Sequence, residues 1–232
     1  MEIRIDPKKV LYSLLGVLVL LLALNLIGLI PIYTGAREVP WKIFSFDDEQ
    51  NIPVLFSTAN LVLCGLLAWG IACGFRSVRK KALQWGVLAG VFFYLAIDEF
   101  IMIHERIAHL MRILLHQQAL HDAGWVVPYA VLVIAFAALY LKFFLQLPKK
   151  TKMLLILGGA LFVFGAIGME CIGCIWWKIE NGKDVVYYLF ATAEETLEML
   201  GVLAVQYALF NFISECQPDL SLAVTPCITS DN

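Results

Sequence analysis

Six runs of about twenty apolar residues constrain this chain more than any other feature, because each can cross roughly 30 Å of hydrocarbon as a helix. They fall at 10–30, 52–75, 82–103, 125–147, 153–175 and 185–213. None alternates polar with apolar residues as barrel strands do, so the backbone must satisfy its hydrogen bonds within helices. An all-α polytopic membrane protein with six transmembrane helices is the predicted fold class. A hydrophobic fraction of 61% and a mean hydropathy of +0.80 agree with it. The opening "MEIRIDPKK" has the charge of a signal peptide's start, but the apolar core after it is too long and no cleavage site follows, so an uncleaved first span is expected.

The links leave no room for a soluble domain, so residues 1–213 are predicted to form a single bundle. Residues 214–232, polar and without a basic residue, are expected to be a disordered tail. Orientation follows from basic residues in the short links. Arg4, Lys8, Lys9, Arg76, Arg79, Lys80, Lys81, Lys142, Lys149, Lys150 and Lys152 put eleven of seventeen on one side. Arg37, Lys42, Arg106, Arg112, Lys178 and Lys183 fall on the other, which predicts cytoplasmic N and C termini in a cell inner membrane. A net charge of -2 gives no argument for a nucleic-acid partner.

Span four carries no charge before Lys142 and reads as lipid-facing scaffold. Asn25 and Asn60 are expected to hydrogen-bond between helices, and Gly70, Gly74, Gly86 and Gly90 to let spans two and three approach closely. Against this bland background the acids stand out. Asp98 and Glu99 lie roughly 24 Å along span three, and Glu170 roughly 27 Å along span five, both toward the outer surface. Glu194, Glu195 and Glu198 descend from that surface toward the midplane of span six. Asp98, Met102, Glu105, His109, Arg112 and His116 keep helical spacing, which predicts one polar stripe on a continuing helix.

Asp98, Glu99, Glu105, Glu170, Glu194, Glu195 and Glu198 stand against Arg106 and Arg112, an excess of five negative groups. A charge at the centre of a membrane helix costs on the order of 2.5 to 3.5 kcal/mol, so the excess implies protonation, bound cations or a wet cavity. His104 and His109 lie beside these acids and are candidate ligands or proton carriers; His116 and His121 read as solvated.

Carboxylates with imidazole suit zinc, manganese or iron, and facing helices can aim them inward. The candidate metal set is Asp98, Glu99, His104, Glu105, His109, Glu170, Glu194, Glu195 and Glu198, with Glu194, Glu198 and Asp98 as candidate catalytic groups. The Glu-x-x-His pairs of di-iron bundles are missing, which leaves a mononuclear or looser site acting on a lipid-soluble substrate. Proton or cation transport along the graded acids is the alternative, and an assembly protein held together by them is a third. Cys171 and Cys174 form a C-x-x-C beside Glu170, but no second pair accompanies them on that side, as a thiol oxidase would need.

"FDDEQNIPVLFST" before span two, "LAIDEF" with "IHE" in span three and "AEETLEMLG" in span six together resemble an uncharacterised family of small polytopic bacterial membrane proteins. The resemblance implies no activity. It draws attention to Glu49 and Asn51 at the entrance to span two, as candidates for a cavity mouth or as solvated link residues.

Overall fold

The computed structural model describes residues 6–35, 42–115 and 123–216. His116, His121 and the tail from residue 217 lie outside them. Among the described residues seven helices build the fold: α1 (Pro7–Tyr33), α2 (Ile52–Gly74), α3 (Arg79–Ile101), α4 (Ile103–Leu115), α5 (Val126–Leu145), α6 (Lys149–Glu180) and α7 (Val185–Cys216). All but α4 are long and apolar enough to cross a membrane. No strand occurs among the described residues.

Local chemistry fixes the helix ends. Asp6 and Asn51 accept from backbone N–H groups of the first turns of α1 and α2, each followed by a proline where no N–H is needed. Asp184 does the same for α7, accepting from Tyr187 N at 2.8 Å, and also accepts from Trp176 Nε1 of α6 at 2.9 Å. One side chain therefore caps a helix and fixes its angle to the preceding one.

The helix that carries Glu194, Glu195 and Glu198, α7, is the central one. Of its apolar stretch, 61% is buried against 6% for α5, which accordingly packs at the edge of the bundle. One core groups Trp85, Leu61, Ile71 and Leu209 between α2, α3 and α7, with Phe143 of α5 edge-on to Trp85. Asn60 and Asn25 act as their positions predict. Gln206 Nε2 of α7 donates to Asn60 Oδ1 at 2.9 Å, and Asn25 Nδ2 donates to Thr192 Oγ1 of α7 at 2.8 Å.

Asn25 has a second role, because its Oδ1 accepts from Phe46 N at 3.0 Å. The link before α2 is thereby folded into the bundle, with Ser45 and Phe46 buried. Asn51 completes the clasp by donating to the carbonyls of Ser45 and Asp48, both at 2.6 Å. Asn25→Ala would leave a buried N–H unpaired, so a stability loss of about 1–3 kcal/mol is expected in detergent unfolding curves. A loss confined to a few tenths would mean the link is not held from α1.

Three expectations are corrected. The polar stripe is not continuous, because Met102 adopts a left-handed conformation (φ 56°) and ends α3, and α4 starts afresh at Ile103. Asp98 stabilises this break by accepting from His104 N at 2.8 Å, a bond outside helical geometry. Gly86 and Gly90 meet nothing within 4 Å and bring no helix close. Spans two and three do pack closely, but through Gly65, whose Cβ position lies 2.7 Å from the Phe93 ring, and a backbone-to-backbone glycine crossing occurs between α6 and α7, where an added Cβ on Gly158 or Gly201 would lie 2.6 or 2.5 Å from the other's carbonyl oxygen. Span four is not uniformly lipid-facing, since Trp125 and Tyr129 at its start are buried.

Candidate functional site

Parts of five helices and one link enclose a cavity of about 450 Å3. Its walls are the link before α2, the end of α3, α4, the start of α5, the second half of α6 and the first half of α7. Two local features shape it. The left-handed Met102 turns the chain so that Glu105, His109 and Arg112 of α4 face it. In α6, residues Phe164–Met169 form a π-helical turn, a wider winding often found at functional sites. Gly165 in that turn abuts Glu194 and Glu198, where a Cβ would lie 2.8 Å from the Glu194 carbonyl oxygen. Only glycine lets α6 come that near the acidic helix.

All nine residues singled out as a candidate metal set line this one cavity. Glu105 and His109 are exposed at the rim, whereas Glu99, Glu170, Glu194, Glu195 and Glu198 are partly buried. Adjacent Asp98 and Glu99 both contribute to the wall. Arg106, placed in the charge balance from sequence, is exposed and outside the lining; Lys183 takes its place.

Asp98 is 5% exposed and fully engaged. Its Oδ1 accepts from His104 N and lies 3.4 Å from His104 Nδ1, and its Oδ2 accepts from Tyr129 OH at 3.0 Å. Since the Tyr129 proton is committed to Asp98, Tyr94 OH donates to Tyr129 OH at 2.8 Å. This carboxylate acts as the anchor joining α3, α4 and α5. Ser57 donates to Glu99, and Cys174 Sγ lies 3.6 Å from Glu170 Oε1. Cys171 and Cys174 are not joined by a disulfide.

The three glutamates of α7 differ from these. Glu194, Glu195 and Glu198 have no hydrogen-bond or ion-pair partner among the described residues. Glu195 and Glu198 are enclosed by protein apart from the face they turn to the cavity, and both feel the charge of Glu99 opposite. The whole lining carries nine carboxylates against Arg112 and Lys183. Among the described residues no group of three His, Cys, Asp or Glu side chains comes together as metal ligands. The acids are spread around the walls and do not converge on a point.

At the mouth, electrostatics can be stated group by group. Burial pushes the Asp47 carboxyl up, only partly offset by Lys183, whose Nζ lies 2.6 Å from Asp47 Oδ2. Glu49 is open to the mouth yet crowded by protein on its remaining sides, and that crowding, with the charges of Glu99, Glu105 and Asp47 outweighing His104, pushes it up to about 7. Burial lowers His104, but the hydrogen bond and charge of Asp98, with Glu49 and Glu99, prevail and raise it.

Sequence reasoning missed Asp47, Lys183, Trp125, Tyr129 and Tyr187. Polar residues in a link ordinarily face water, and aromatics at a span's end ordinarily mark the interface. The available signal was Asn25, a buried amide in span one with a folded link to hold. A family model described as a domain of unknown function (DUF8692) matches residues 11–212. No curated protein and no solved structure matches the chain.

Proposed function

Because the chain belongs to the DUF8692 family, whose description carries no activity, the reading must come from the site, and we propose a multi-pass membrane protein that binds a cation in its acidic cavity. The observation that carries this is the lining's excess of carboxylates, nine against Arg112 and Lys183, with Glu195 and Glu198 enclosed and unpaired. Uncompensated charge inside a membrane protein is costly, and a bound cation is what lowers that cost. The excess of basic residues on the links remote from the cavity supports an inner-membrane setting, cytoplasmic termini and a mouth facing outward.

A tightly coordinated zinc, manganese or iron ion fits this donor set less well. Such ions need several ligands at about 2.0–2.6 Å from one point, and the carboxylates are dispersed. An enzyme acting on a lipid-soluble substrate is therefore the weaker form of the reading. Transport is disfavoured by the packed apolar core that separates the cavity from the far side.

Titration of the detergent-purified protein with inorganic and organic cations tests the proposal. Saturable binding at pH 8, lost in the Glu195→Gln Glu198→Gln double variant, is expected. No saturable binding of any cation would overturn it. Affinity should also rise with pH, because Glu49 gains its charge near pH 7 and His104, raised above its ordinary value, loses its own. Stability should move oppositely. Both groups hold protons more tightly folded than unfolded, so Glu49's contribution is complete below 4.5 and is lost by about 7, and His104's is lost as pH climbs past its raised value. Falling melting temperature with tightening cation binding between pH 6 and 8, and a flatter profile in Glu49→Gln, are the expected results.

A further inference from the structure

We propose that the cation this cavity accepts is a linear aliphatic polyamine, whose ammonium groups are spaced along an apolar chain; the inference rests on the cation-binding reading above and narrows its ligand class.

The cavity's size is the first reason. About 450 Å3 is room for a small organic molecule and far more than a bare ion needs. Distribution of charge is the second. Carboxylates run from Glu49 and Glu105 at the exposed rim to Glu195 and Glu198 at the enclosed end, with no three donors converging among the described residues. A single ion satisfies one point, whereas a chain of ammonium groups can meet acids on several walls in turn. The apolar wall is the third. Trp125, Tyr187, Phe46 and Phe162 lie among the acids, so aromatic and hydrocarbon surface for the methylenes between ammonium groups alternates with charge along the wall.

The chain itself shows this recognition at the cavity's edge. Lys183 Nζ, a primary ammonium on an alkyl stem, lies 2.6 Å from Asp47 Oδ2 and 4.9 Å from the centroid of the Tyr187 ring. One carboxylate and one aromatic face thus already hold an alkylammonium. Deeper in, Glu195 and Glu198 lack any such partner among the described residues, although they border the same cavity. An ammonium from outside the chain would fill that position, and those on the same molecule nearer the mouth would meet Glu49 and Glu105.

Calorimetric titration of the full-length protein in nanodiscs of neutral lipid tests this, with spermidine, putrescine, butylamine and manganese(II) as probes at pH 8. Spermidine should bind at least about tenfold more tightly than butylamine, with putrescine between. Glu195→Gln and Glu198→Gln should each weaken spermidine by about tenfold, while melting at or above the wild-type temperature, which shows they are folded. Butylamine equal to spermidine, or spermidine indifferent to both substitutions, would overturn the inference. Manganese binding that depends on Glu198 without spermidine binding would overturn it too, yet leave cation binding standing. If no probe binds, and no other cation does, both readings fall.

Discussion

Glu198→Gln is expected to raise the melting temperature of the purified protein and, in the same sample, to weaken cation binding by about tenfold or more. Most substitutions of an enclosed residue destabilise, so the sign is diagnostic. Glu198 has no partner among the described residues and feels the like charges of Glu99, Glu194, Glu170 and Asp98. Glutamine keeps its shape and removes the charge, which relieves repulsion without opening a hole. A gain of roughly 1–2 kcal/mol is in the range of other functionally strained positions. The stability gain should disappear when saturating cation is added to both proteins, because the wild type then has its counter-charge. Lower stability in the variant would show instead that Glu198 is a structural acid with a partner of its own.

The largest structural effect is expected at Gly201. An alanine there would set its Cβ 2.5 Å from the Gly158 carbonyl oxygen and 2.7 Å from Phe162 N, and both are backbone atoms with no rotamer to yield. Helices α6 and α7 must separate, at a cost on the order of 2–3 kcal/mol. The same two helices carry Glu170 and the three α7 glutamates, so cation binding should weaken as well. Gly86→Ala is the control: nothing lies within 4 Å, and better helix propensity should leave stability unchanged or higher by up to about 1 kcal/mol. Unfolding in graded denaturing detergent measures both, and equal behaviour of the two variants would refute the close crossing.

These contrasts also mark where the sequence was legible. A carboxylate in an apolar run is so costly that its mere presence signals an inward-facing position, and the acids chosen on that ground line the cavity, as do His104 and His109, chosen for lying beside them. Asparagines at 25 and 60 were legible for the same reason. Spacing was less informative. The glycines at 86 and 90 have the spacing of a helix contact, yet α2 and α3 meet through Gly65 and Phe93, and the backbone crossing of glycines formed between Gly158 and Gly201 far apart in the chain. No glycine or proline marks the break at Met102, which is stabilised by a side-chain bond from Asp98 that crosses the interruption. Asp47 and Lys183 sit in links, where composition says only that water is acceptable.

The π-helical turn at Phe164–Met169 makes the length of α6 a determinant of chemistry. Such a turn accommodates one residue more than ordinary helical winding. Because the extra residue is absorbed there, Glu170 and the residues after it keep the phase that the helix has before the turn. A residue inserted or deleted in the regular winding of Lys149–Val163 has no such outlet and would swing everything downstream by about 100° about the helix axis, taking Glu170 off the cavity wall. Within Phe164–Met169 itself, loss of one residue should be tolerated far better than the same loss a turn earlier.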